Sequence, residues 1–184
     1  MLRIFNSPDG DLHGETFMAT RLPSRTLAKN FNFGMVYGGS PEIISLFTSI
    51  KDVDSIVAIM NNWRQKFPQA WGWIEAQRRE GLRTYEAQTM YGRKFDLTAS
   101  HSSNQSDKHI MNCAINWPIQ GTAAEIFKRI GGALESFDIT DDLLISQIHD
   151  EFWLDGPQFI PQDIEHVIPE IWTPIEQELV ERFG

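Results

Sequence analysis

The stretch Arg25-Thr-Leu-Ala-Lys-Asn-Phe-Asn-Phe-Gly-Met-Val-Tyr-Gly-Gly39, RTLAKNFNFGMVYGG, places two cations and then two aromatic rings at a constant interval of four. On a helix advancing about 100° per residue, Arg25, Lys29, Phe33 and Tyr37 form a slowly winding band. Leu27, Phe31 and Met35 fall roughly opposite, so one face can pack while the other carries charge followed by flat rings. Ser24 can cap such a helix, and Gly38-Gly39 followed by Ser40-Pro41 stops it. A ligand with phosphates at one end and an aromatic base at the other matches the exposed band. The cations sit near the positive end of the helix dipole, which favours an anion there. The plainer reading of this helix alone is two core aromatics and two solvated cations.

The rest of the chain predicts more helices. Apolar residues recur at helical spacing from Pro41 to Phe47 and from Asp52 to Phe67, and a further helix is expected from about Ala70 to Gly81. The opening segment, rich in turn formers, holds one short helix. TYEAQTMYGRKFDL, from Thr84, reads as two short strands about a Tyr-Gly turn. SHSSNQSD, from Ser100, reads as a loop. A long helix is expected from Asp107, restarting after Pro118 and ending at Phe137. LLISQIHDEFWL has two apolar, β-rich arms around His149-Asp150, the pattern of a tight hairpin. The last helix, about Pro161 to Phe183, is expected to break at Pro169 and Pro174.

The composition, 41% hydrophobic and 22% charged over 184 residues, is that of a folded protein with one sizeable core or two subdomains. The single Cys113 excludes an intramolecular disulfide framework. No apolar run reaches the ~18 residues of a membrane span, and no secretory leader is visible. A soluble cytoplasmic protein is expected. The net charge of −9 is unevenly spread: residues 133–184 hold 13 acidic groups against one basic, whereas 1–132 carry +3. The first two-thirds can therefore face a polyanion despite the acidic whole.

RxxxKxxxFGxxYG closely resembles the fingers helix of family A DNA polymerases, the group of bacterial DNA polymerase I and its phage relatives. The resemblance implies that Arg25 and Lys29 grip the triphosphate of an incoming deoxynucleotide, that Phe33 lies against its sugar and that Tyr37 guards the template base position. Asp11-Leu-His13 is similar to the family's D-I-H, whose His contacts phosphate. Asn116 to Lys128, NWPIQGTAAEIFK, is similar to the helix whose Asn and Gln, here Asn116 and Gln120, reach the minor groove of the template–primer. Minor-groove acceptors are common to all base pairs, so such contacts test pair shape rather than sequence. Tyr91 to Lys94, YGRK, resembles a D-G-R-R turn and implies a DNA contact for Arg93. Gln147 to Phe152, QIHDEF, resembles the His-Asp-Glu hairpin, with His149 toward DNA and Asp150 and Glu151 catalytic. Asp150 would ligate Mg2+, since two-metal phosphoryl transfer needs carboxylates holding ions ~3.5–4 Å apart.

These matches imply an α+β, mainly helical architecture of fingers helices plus part of a palm with a short antiparallel hairpin. The expected division is an opening segment at 1–23, fingers at 24–108 and distal palm at 109–184. The family's first metal-binding Asp lies on a D-Y-S-Q-I-E-L-R strand that this sequence does not show, and Asn112 stands where the family usually has a DNA-contacting Arg. The leading expectation is therefore the nucleotide-gripping part of a split or truncated polymerase. It would act on primer–template DNA with dNTPs and an N-terminal polypeptide supplying the first Asp and thumb, in a bacterial or phage-infected cell. The alternatives are a catalytically inactive DNA- or nucleotide-binding remnant and a relative of single-subunit RNA polymerases. Phe33, where some relatives carry Tyr, further implies discrimination against dideoxynucleotides.

Overall fold

Short polar side chains start three of the early helices. Asp11 accepts from the His13 backbone N–H at the head of α1 (Leu12–Thr20), Ser24 from Leu27 at the head of α2 (Arg25–Val36), and Asp52 from Ser55 at the head of α4 (Val53–Lys66). In α3 (Pro41–Thr48) and α5 (Pro68–Thr84) a proline opens the helix instead, where its missing N–H has no intrahelical partner to lose. The computed structural model describes residues 9–98, 106–135, 144–148, 151–155 and 161–183. The expected hairpin tip, His149 and Asp150, lies outside the described residues, as do most of the expected polar loop after Ser100 and the expected helix end at Phe137.

After α5 come β1 (Glu86–Gln88) and β2 (Lys94–Asp96), then α6 (Asp107–Glu135), β3 (Leu144–Ile148), β4 (Glu151–Leu154) and α7 (Pro161–Phe183). The fold class is α+β and mainly helical, with two small antiparallel hairpins among the described residues. β1 and β2 pair with Ala87 opposite Phe95, and the Lys94 ammonium meets Glu86 across the ladder at 3.0 Å. β3 and β4 pair with Ile148 opposite Glu151, with an irregularity between Leu144 and Ser146.

Two expectations about proline fail. The helix from Asp107 continues through Pro118 rather than restarting, and α7 continues through Pro169 and Pro174. A proline deletes one ladder bond and crowds the preceding turn, but both helices carry buried residues beside their prolines. Ile110, Cys113, Ala114 and Ile115 are buried just ahead of Pro118. In α7 an apolar ladder of Val167, Ile171, Ile175 and Leu179 spans both prolines. The helix expected over Ala70–Gly81 is longer, because Pro68 begins it and Tyr85, left-handed at φ 54°, ends it.

Backbone contacts divide the chain into two units, 1–119 and 120–184. In the first, α1, α2, α3 and α4 pack around Phe31, Ile44, Ile56 and Trp63. A second cluster of Ala87, Leu97, Ile110, Cys113 and Ala114 joins the β1–β2 hairpin to the start of α6. In the second unit Leu134, Ile171 and Ile175 form the core, and Phe152 of β4 stacks on Phe127 of α6 at 4.2 Å. No described helix is long and apolar enough to cross a membrane.

Two glycines of α5 give a paired test. A Cβ on Gly72 would meet nothing within 4 Å, whereas one on Gly81 would press into Ala114 well inside van der Waals contact. Gly72→Ala is expected to stabilise the fold by about 0.5–1 kcal/mol through helix propensity. Gly81→Ala, the same substitution in the same helix, is expected to destabilise it by about 1–3 kcal/mol through overpacking. Urea denaturation of the two variants checks the opposite signs.

Candidate functional site

The functional face is built by α2, and its two sides separate as the sequence predicts. Ala28, Phe31, Asn32, Gly34 and Met35 are buried. Arg25 and Lys29 are exposed, Phe33 is 46% exposed and Tyr37 is 36% exposed. The Phe33 and Tyr37 rings stack at 6.1 Å with 11° between their planes, and Lys29 Nζ lies 5.9 Å from the Phe33 centroid. Cation, ring and ring therefore form one continuous stripe. Among the described residues no carboxylate forms an ion pair with Lys29, which leaves its charge available to an anion.

The helix ends in a way that fixes Tyr37. Gly39 N–H bonds to the Gly34 carbonyl at 2.7 Å and Gly38 N–H to the Met35 carbonyl at 3.4 Å, the paired pattern of a Schellman stop. Gly38 sits at φ +74°, and a Cβ there would meet Asn112 Oδ1 at 2.5 Å and an Arg78 amino nitrogen at 3.0 Å. Only glycine fits. Gly34 in turn lets Ile44 of α3 come close, since a Cβ at 34 would lie 2.9 Å from Ile44 Cγ1.

Between the stripe and α3 lies an open, mostly apolar groove of about 480 Å3, lined by Phe33, Tyr37, Gly38, Ile43 and Phe47, with Lys108 at its edge. An adjoining cavity of about 320 Å3 is lined by Arg64, Arg78 and Lys108 together with Met35, Met60 and Trp71. The Arg64 and Arg78 guanidinium carbons lie 4.4 and 5.5 Å from the Trp71 ring, and the Nε of each arginine is buried without a hydrogen-bond partner.

Arg25 is not free. Its Nε and one amino group donate to Asp11 at 2.7 and 2.8 Å, a bidentate pair. The same carboxylate caps α1 through His13 N–H. The Arg25 guanidinium holds the Asp11 carboxyl well below the usual carboxylate range, helped by the backbone at Gly14. His13 lies on α1 with its ring centroid 6.2 Å from that of Phe33, at the edge of the stripe. Burial pushes its pKa down and the nearby Arg25 adds to this, while Asp11 opposes it.

The first unit thus brings His13, Arg25, Lys29, Phe33 and Tyr37 together. Arg93 lies apart from them, exposed beyond the β1–β2 turn, with its backbone N–H bonded to Thr89 Oγ1 at 3.1 Å. Asn116 and Gln120 lie four residues apart on α6; Gln120 is exposed, and the Asn116 Oδ1 is buried without a partner. In the second unit Glu151 is exposed and accepts from Trp153 Nε1 at 3.2 Å. His149 and Asp150 lie outside the described residues. Among the described residues no three His, Cys, Asp or Glu side chains gather as a metal cage.

Asn32 has a part that the sequence reading missed. It bonds His13, Thr16 and Trp63 at once. The available signal was an amide between two phenylalanines, about 340° around the helix from Arg25 and so at the border of the packing face.

The description DNA polymerase family A matches residues 1–179. The chain belongs to that family. Among curated proteins, the thermostable DNA polymerase I of Thermus thermophilus is 31% identical over 168 residues, covering 84% of this chain and 20% of that protein. DNA polymerase I of Pseudomonas aeruginosa is 29% identical over 156 residues, covering 83% of this chain and 16% of its own. The chain therefore spans about a fifth or less of the length of these relatives. The POL domain of Pol1 from M. smegmatis, solved in complex with DNA primer-template and dNTP, has a similar fold: TM-score 0.73, 21% identity, covering 88% of this chain and 30% of that one.

The Asp11–Arg25 pair sets a pH dependence. Because the folded carboxyl titrates below its unfolded value, its contribution to stability is complete above about pH 4 and is lost as pH falls toward the lowered value. Carboxyl NMR titration is expected to show Asp11 ionised well below the ordinary range, moving back toward that range in Arg25→Ala, with the backbone donors still lowering it.

Proposed function

We propose that this chain is the nucleotide-gripping part of a DNA polymerase that transfers the nucleotidyl group of a dNTP to a primer 3′ hydroxyl on a DNA template, with pyrophosphate as the leaving group. The observation that carries this reading is the stripe in which Lys29, without an ion-pair partner among the described residues, leads onto stacked Phe33 and Tyr37. Lys29 binds the triphosphate and offsets the charge that builds on the leaving pyrophosphate. Arg25 joins it by exchanging Asp11 for phosphate oxygens. Phe33 covers the sugar, and Tyr37 stands where the templating base pairs. Asn116 and Gln120 follow the minor groove, with Arg93 and His149 as further DNA contacts.

Asp150 is the Mg2+ ligand in this reading, with Glu151 beside it; the ion would stabilise the transferring phosphoryl group. The first aspartate and the thumb come from outside these 184 residues, whether in the same polypeptide or in a partner. The fingers are residues 24–108 and the distal palm 109–184. Support comes from membership of the family and from the similar fold of a polymerase domain solved with primer-template and dNTP. The second reading, a binding remnant without catalysis, shares the same stripe and differs in outcome.

Primer extension separates the two. The chain alone is expected to be inactive, and adding a polypeptide with the upstream strand motif and thumb is expected to restore synthesis. In the restored enzyme Lys29→Ala should lower kcat/KM for dNTP by about 10²–10³-fold, and Asp150→Ala should abolish synthesis. Synthesis that survives Asp150→Ala would overturn the catalytic reading, and dNTP binding without synthesis under any complementation would favour the remnant. Phe33→Tyr is expected to increase incorporation of dideoxynucleotides, measured as chain termination.

A further inference from the structure

Asn32 sits on the inner side of α2, 4% exposed, with both polar atoms of its amide engaged. Its Oδ1 stands 2.8 Å from Trp63 Nε1 and 3.0 Å from Thr16 Oγ1, and its Nδ2 stands 2.9 Å from His13 Nδ1. An indole N–H can only donate, so the amide atom facing Trp63 is the carbonyl oxygen, and the orientation of the amide is settled. The nitrogen facing His13 can then only donate, and His13 Nδ1 must accept. An imidazole that accepts at Nδ1 is neutral and carries its one proton on Nε2. Protonating the ring would set two N–H donors against each other across 2.9 Å.

We infer that Asn32, locked by Trp63 and Thr16, is a positioning residue that holds His13 as the neutral Nε2–H tautomer. The ring therefore offers the nucleotide triphosphate one directed N–H donor and no charge. This rests on the nucleotide reading above and adds a division of labour to it. Arg25 and Lys29 supply charge, whereas His13 supplies hydrogen-bond direction.

The charges facing His13 act in keeping with this. Arg25 and Lys29, from α2, oppose its protonation, and burial opposes it more strongly. Asp11, just ahead of α1, favours protonation but is held by Arg25. From α4, which packs on α1, Lys66 is paired to Glu15 of α1 at 2.9 Å.

Long-range 1H–15N correlation spectra of the 15N-labelled chain identify the protonated ring nitrogen directly, without any variant. The expected result is a neutral His13 ring protonated at Nε2 at about pH 8, with a midpoint below the ordinary ~6.5. Asn32→Asp keeps the side-chain shape but replaces the donor by an acceptor. It should move the proton to Nδ1 and raise the midpoint by at least about one pH unit. Should that variant fail to fold, Trp63→Phe removes the donor that pins the amide and should give a mixture of tautomers. A wild-type ring protonated at Nδ1, or an unmoved midpoint in folded Asn32→Asp, would overturn the lock. Adding dATP to the wild-type sample should shift the Nε2–H resonance. A fixed tautomer with no shift overturns the nucleotide reading and leaves the lock standing, so the two failures are distinguishable.

Discussion

The hydrogen bonds of one buried amide set the geometry of the first unit. Asn32 belongs to α2, His13 and Thr16 to α1, and Trp63 to α4, so satisfying this amide requires three helices to meet in one register. Leaving a buried polar group unpaired costs about 1–3 kcal/mol, and here the fully buried indole would lose its acceptor along with the amide. A small rotation of α2 about its axis would break these bonds. Because Phe33 is the next residue, the constraint that faces Asn32 inward also determines the direction in which Phe33, Lys29 and Tyr37 face outward. A polar contact inside thereby aims an exposed stripe outside.

Much of this was legible in the sequence. Ser24 caps the helix it was expected to cap, Phe31 and Met35 are buried opposite the stripe, and the Tyr91-Gly92 segment joins two paired strands. Such features depend on neighbours along the chain, which spacing reports. The misses are tertiary. Pro118, Pro169 and Pro174 were read by local rule, yet both helices continue through them, α7 with an apolar ladder on either side of its prolines. Arg25 looked available because its partner lies fourteen residues away, and no pattern in RTLAKNFNFGMVYGG points to Asp11. Asn32 looked like a polar residue on an amphipathic helix, and only the arrival of Trp63 gives it a reason to be inside.

The end of α2 shows the same economy of placement. Gly38 turns left-handed where Asn112 and Arg78 leave no room for a side chain, and that turn stops the helix one residue after Tyr37. The ring at the open groove is thus carried by the last helical turn, against a left-handed glycine hemmed in by the side chains of Asn112 and Arg78.

Asp11 has two jobs that differ in how easily they are undone. Its bond to the His13 backbone N–H is local to α1, whereas its bidentate hold on Arg25 crosses to α2 and is open to solvent. Water and salt screen such an exposed pair, and a strong anion can draw the guanidinium away while the carboxylate stays on its helix. The carboxylate then becomes a competitor. Displacing it takes an anion that offers the guanidinium more than the chelating carboxylate does. The resting pair therefore ties the exposed cation of this face to ionic strength.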